Sequence, residues 1–170
     1  ALAFGGPCSH PFRTLMLGFN EIGDEGLINT LGWFHKHYNG VMTRLDISFN
    51  NLSDASAIAL GDSDILIDHL EHLHLAGNKI SDEGFRHFAR GWSRGSCKLS
   101  YLDISGNNAT EEGAASIGHL LQAPNCCLET LVIKGNALGP KGTNAISSSL
   151  VANTTSVSYT HLRAHETSNH

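Results

Sequence analysis

Three short pairs of residues hold the side chains with the most chemistry to offer: Arg44 and Asp46, His72 and His74, Tyr101 and Asp103. Within each pair the two are separated by one leucine, Leu45, Leu73 or Leu102. In an extended chain that spacing puts both polar side chains on one face and the leucine on the other. If the three segments lie side by side, His74 falls between Asp46 and Asp103, and two nearby carboxylates should raise its pKa. Three uses fit such a cluster. It can be solvated surface with no specific role. It can grip a protein, for which Tyr and Arg are common anchors. It can hold a metal or move a proton, as histidines and carboxylates do.

What would bring the segments together is an internal repeat. Asn recurs at 20, 50, 78, 107 and 136. Eight residues before it stand Phe12, Met42, Leu70, Leu99 and Leu128. Five before, the residue is always leucine: Leu15, Leu45, Leu73, Leu102 and Leu131. Three before stand Leu17, Ile47, Leu75, Ile104 and Ile133, and two after stand Ile22, Leu52, Ile80, Ala109 and Leu138. Six after, the residue is small: Gly26, Ser56, Gly84, Gly113 and Gly142. Five columns kept through five copies make this a repeat architecture rather than a chance pattern.

The pattern resembles the leucine-rich repeat, L-x-x-L-x-L-x-x-N-x-L, in its long ribonuclease-inhibitor-like form. The clearest copies are LEHLHLAGNKISDEG (70–84) and LSYLDISGNNATEEG (99–113), and the resemblance spans about residues 12–152. It implies an α/β fold, a right-handed solenoid cut from a horseshoe, with parallel strands on the concave face and helices on the convex face. The strands then centre near 14–18, 44–48, 72–76, 101–105 and 130–134. Arg44, Asp46, His72, His74, Tyr101 and Asp103 become the middle of the concave face and the expected partner-binding patch. A metal or acid–base site fits a wide open surface poorly, because nothing there excludes water. Asn20, Asn50, Asn78, Asn107 and Asn136 are expected to form a structural ladder. Buried in each turn, an Asn side chain can satisfy backbone groups of its own and neighbouring coils.

Helix signals follow each turn. Ser81-Asp82-Glu83 and Thr110-Glu111-Glu112 place a capping hydroxyl before acids at a helix start. Pro140 sits where a first helical residue belongs. Phe85, Phe88, Ala89 and Trp92, then Ala114, Ile117, Leu120 and Leu121, recur at helical spacing and read as core. The second repeat is irregular: a helix over 54–60 meets Gly61-Asp62, and Ile65-Leu66-Ile67 reads as a short turn packing inward.

Composition narrows the function classes. The chain has 170 residues, 41% hydrophobic and 16% charged, which suits one packed domain. Its net charge of −5 leaves no basic stripe, so nucleic acid is not an expected partner. No apolar run is long enough to span a bilayer, so no membrane partner is expected. Four cysteines, two of them adjacent at 126 and 127, do not make a disulfide framework, and a reducing, cytoplasmic setting is the better guess. Cys97 and Cys126 share a repeat position and are expected to be buried, reduced thiols. The sequons at Asn51, Asn108 and Asn153 are short enough to arise by chance. Gly135 to Lys141 lacks phosphate-loop spacing.

The ends stand apart. Residues 1–11 fit the close of an earlier helix and its return loop. The segment VSYTHLRAHET (157–167) resembles the translation of a transposase adapter used to build sequencing libraries, and His161, His165 and His170 then carry no function. The expected organisation is a repeat domain over 1–156, truncated at both ends, and an adapter-derived tail over 157–170. The resemblance implies a non-catalytic protein–protein interaction scaffold, the repeat region of a larger intracellular regulatory or sensor-type protein similar to NOD-like receptors or ribonuclease inhibitor. No cofactor is expected. The alternative is a regulator of a small GTPase, similar to the Ran GTPase-activating protein. That family depends on a loop-borne arginine and an acidic tail, and neither can be placed here: Arg86, Arg90 and Arg94 belong to a convex helix or its end, and Arg44 to a strand.

Overall fold

The computed structural model describes residues 12–38 and 40–152. The expected segments 1–11 and 157–170, and the sequon at Asn153, lie outside them. Strand and helix alternate along the chain: β1 (Thr14–Met16), α1 (Gly23–His37), β2 (Arg44–Asp46), α2 (Asp54–Gly61), α3 (Asp64–Ile67), β3 (His72–His74), α4 (Asp82–Trp92), β4 (Tyr101–Asp103), α5 (Glu111–Gln122), β5 (Thr130–Val132) and α6 (Gly139–Ala152). The five strands form one parallel sheet in sequence order. This is the α/β solenoid that the repeat implies, with the strands as its concave face.

Each strand is three residues long because only the central leucine has to be buried before the chain turns. Leu45, Leu73 and Leu102 are at most 1% exposed, and burying each contributes about 1.5–3 kcal/mol. The helical apolar set is buried as its spacing predicts, from Phe85, Phe88, Ala89 and Trp92 to Ala114, Ile117, Leu120 and Leu121. In the irregular second coil α2 stops at Gly61, and α3 turns Leu66 and Ile67 into the core. The stop permits a close backbone approach. A methyl group on Gly91 would lie 1.9 Å from the Gly61 carbonyl oxygen. Beside it Trp92 Nε1 donates to the Leu60 carbonyl at 3.3 Å.

The Asn column ties coil to coil. Asn78 Nδ2 donates back to Ile47 O at 3.1 Å, while its Oδ1 accepts from Asn50 N and Leu52 N, both at 3.0 Å. Asn50 reaches Leu17 O, Asn107 reaches Leu75 O and Asn136 reaches Ile104 O in the same way. Asn20 differs: it is exposed, and among the described residues it bonds Leu17 O and Gly18 O of its own turn.

A second row of bonds runs beside the first and was not foreseen. The aspartate four residues after Asn20, Asn50 and Asn78 accepts from the hydroxyl at the start of the next helix. Asp24 takes Ser53 Oγ at 2.5 Å, Asp54 takes Ser81 Oγ at 2.6 Å and Asp82 takes Thr110 Oγ1 at 2.5 Å. Asp24, Asp54 and Asp82 also accept the backbone N–H of the same residue. These acids therefore bridge coils in addition to facing the helix dipole. Thr110 corrects the capping expectation: its hydroxyl makes no cap bond within α5. Ser81 does cap α4, accepting from Glu83 N at 3.4 Å. The row explains the small residue six after Asn. A Cβ on Gly84 would lie 2.4 Å from Asp54 Oδ1, and one on Gly113 would lie 2.5 Å from Asp82 Oδ1. In the fifth coil Gly139 stands where the hydroxyl would be and opens α6, with Pro140 second, and Glu111 pairs instead with Lys141 at 3.4 Å.

Candidate functional site

The register sets the concave residues in two rows. Arg44 pairs with His72 and His72 with Tyr101; Asp46 pairs with His74 and His74 with Asp103. Strand positions five before Asn point inward, so these side chains must point out. Their contacts then sort them into an aromatic group and two aspartate turns.

The Tyr101 ring lies across both histidines. Its centroid is 5.7 Å from that of His72, stacked at 22°, and 4.8 Å from that of His74, tilted at 34°. Tyr101 is half-buried rather than fully exposed, because two imidazoles cover it. Burial raises the Tyr101 phenol above its ordinary value, and Asp103 adds to the rise. Burial lowers the His72 imidazole; Arg44 and His74 push it further down, and Glu71 opposes them. Tyr101 and His72 are therefore both biased toward their neutral forms and partly desolvated, with the exposed Arg44 at the edge of the group.

The two aspartates turn elsewhere. Asp46 Oδ1 accepts from Ser48 Oγ at 2.6 Å and Ser48 N at 2.9 Å. Asp103 Oδ1 accepts from Ser105 at the same distances. So His74 does lie between two carboxylates in register, yet among the described residues neither forms an ion pair with it. Asp-x-Ser two residues before Asn, in D-I-S of both the second and fourth coils, is the signal that would have shown the aspartates to be locally engaged. Among the described residues no His, Cys, Asp and Glu side chains are grouped to hold a metal ion, and no helix is long and apolar enough to cross a membrane.

Elsewhere, Cys97 and Cys126 are buried free thiols and Cys127 is an exposed one. Burial pushes the Cys97 thiol up to about 11. A cleft of about 320 Å³ lies between α2, α3 and the end of α4, lined by Asp62, Asp64, Asp68 and Arg94 among others, and includes none of the concave residues.

The model of the Leucine Rich repeat family matches residues 8–29, 38–61, 68–88, 95–118 and 125–147, more than half of the chain. The chain belongs to the leucine-rich repeat family. The five matched segments each contain one strand and the start of the helix after it, so the family repeat and the structural coil coincide. No curated protein matches the chain. Leucine-rich repeats generally mediate protein–protein interaction, and that bears directly on the concave rows.

Proposed function

We propose that this leucine-rich repeat region is a non-catalytic scaffold within a larger intracellular protein of regulatory or sensor type. Its concave centre, formed by Arg44, Asp46, His72, His74, Tyr101 and Asp103, takes a protein partner. The observation that carries this reading is the Tyr101 ring held across His72 and His74. A ring already fixed in place loses little rotamer freedom on binding, and a partly desolvated aromatic beside an arginine is the usual make-up of a binding hot spot. A GTPase-regulating role is less well supported. Arg86 is bonded by Glu83 at 2.6 Å, Arg94 Nε donates to Arg90 O at 3.2 Å, and Arg44 stands on a strand.

The test is partner capture from a lysate of the source organism, comparing the wild type with Tyr101→Ala and His74→Ala. Tyr101→Ala should weaken binding by about 2 kcal/mol or more, as truncation of a central aromatic does. Its effect on stability should stay under about 1 kcal/mol, since the ring is only half-buried. Equal yields of the same proteins from all three forms would remove the concave centre as the binding face.

A further inference from the structure

The residue just before each repeat Asn has a positive φ in all five coils: Phe19 (60°), Phe49 (53°), Gly77 (66°), Gly106 (61°) and Gly135 (70°). Glycine suits this left-handed region, and a bulky residue there is an outlier that persists only when something else holds it. Core packing does not explain the two phenylalanines, because Phe19 is 77% exposed and Phe49 49% exposed. Instead their rings stack on each other, centroids 4.3 Å apart and nearly coplanar at 12°. The Phe49 ring also covers the bare Gly77 backbone, where an added Cβ would lie 2.3 Å from it. Met16, 64% exposed on the neighbouring strand, extends the apolar surface. Strain held at an exposed position points to a binding role.

The charge around the pair says what would bind. From 14 to 34 the ionised side chains are Glu21, Asp24 and Glu25, with no lysine or arginine. Asp24 is taken by Ser53 and Ser56, whereas Glu21 and Glu25 are exposed and have no ion-pair partner among the described residues. The nearest basic residue in the Glu21 row of the rim is Lys79, two coils away. We propose that Phe19 and Phe49, with Glu21 in the loop that follows Phe19 and Glu25 in the first turn of α1, form a second docking anchor on the rim. Its occupant is a lysine- or arginine-bearing segment of a protein partner. The cation lies over an aromatic face and is completed by a carboxylate, two attractions that reinforce each other on a partly desolvated surface.

The experiment titrates the full chain with three labelled peptides, alternating Ala with Arg, Glu or Leu, and follows anisotropy and the ring-proton shifts of the phenylalanines. It needs no natural partner, so its outcome is separate from that of the concave capture test. The Arg peptide should bind, with shifts centred on Phe19 and Phe49, and the Glu peptide should not. Phe49→Gly should weaken Arg-peptide binding by about tenfold or more without lowering the melting temperature, since glycine suits the local φ. The exposed charge reversals Glu21→Lys and Glu25→Lys should each weaken it by about threefold or more. If Phe49→Gly unfolds the protein, the charge reversals decide. Arg-peptide binding unchanged by them overturns the proposal, as does a Leu peptide that binds at least as well. Self-association, or uptake onto zwitterionic lipid vesicles, that is lost in Phe49→Gly overturns it too, by giving the rings to a second copy or to a lipid surface.

Discussion

The first and third coils carry the same repeat letters in different surroundings. Leu15 and Leu17 of the first coil are half-buried, whereas Leu73 and Leu75 of the third are fully buried. Among the described residues Asn20 is exposed and bonds its own turn, whereas Asn78 is buried and also bonds the second coil at Ile47, Asn50 and Leu52. The difference shows where the stability of a repeat protein resides. A coil contributes through the bonds and apolar contacts it makes with the coils beside it.

The sharpest break of this comparison is the Asn column itself. Asn78→Ala strands the buried amides of Asn50 and Leu52, each costing about 1–3 kcal/mol, so about 3 kcal/mol or more should be lost. Asn20→Ala should stay within about 0.5 kcal/mol. Denaturant melts of the two variants check this, and equal losses would show that the first coil is as tightly bound as the third.

Glycines give the next largest contrast. Gly91→Ala drives a methyl group into the Gly61 backbone and should cost about 1–3 kcal/mol. Gly32→Ala, in the exposed part of α1 with nothing within 4 Å, should instead gain about 0.5–1 kcal/mol from helix propensity. Thermal unfolding separates the signs.

Two titrations probe the seams. Cys97 has a folded value of about 11 against an ordinary 9.0, so its neutral form is favoured by folding. That contribution is complete below pH 9 and fades as pH rises to 11, with about 1.4 kcal/mol gone at pH 10. Cys97→Ala should flatten the alkaline side of the stability curve. At the first seam burial works to raise the Asp24 carboxyl, but hydrogen bonds from Ser53 and Ser56 outweigh it and hold the group below its ordinary 3.8. The Asp24 contribution is present above that value and is lost as pH falls through the lower folded one. Ser53→Ala should cost about 1 kcal/mol or less, read as faster hydrogen exchange in α1 at neutral pH and little change under acid.

Most of the fold was legible because each column of the repeat has a single physical cause. Leucine five before Asn must be inward on a three-residue strand, and the Asn must answer backbone groups in a turn. The register follows from the columns, so the rows Arg44–His72–Tyr101 and Asp46–His74–Asp103 could be written down from spacing. Side-chain partners could not. Whether Asp46 turns to His74 or to Ser48 depends on a local turn that competes with the cross-strand contact, and the local bond wins. The acid-to-hydroxyl row was hidden for a related reason: Ser81 and Asp82 have a sufficient reading inside their own helix start. The phenylalanines before Asn20 and Asn50 were passed over because that position matters through φ, which letters do not show.

The paired rows of side-chain bonds, one from the Asn residues and one from the acids, also give the molecule a grain. Every described rung joins one coil to the next, so a pull on the two ends would act on seams in series and open them one at a time. Each freed coil releases 28 to 30 residues, roughly 100 Å of slack at about 3.3–3.6 Å per residue, before the next seam is loaded. The coils beyond an opening seam would keep their shape while it lengthens. The fold is in that sense a spring that yields in steps.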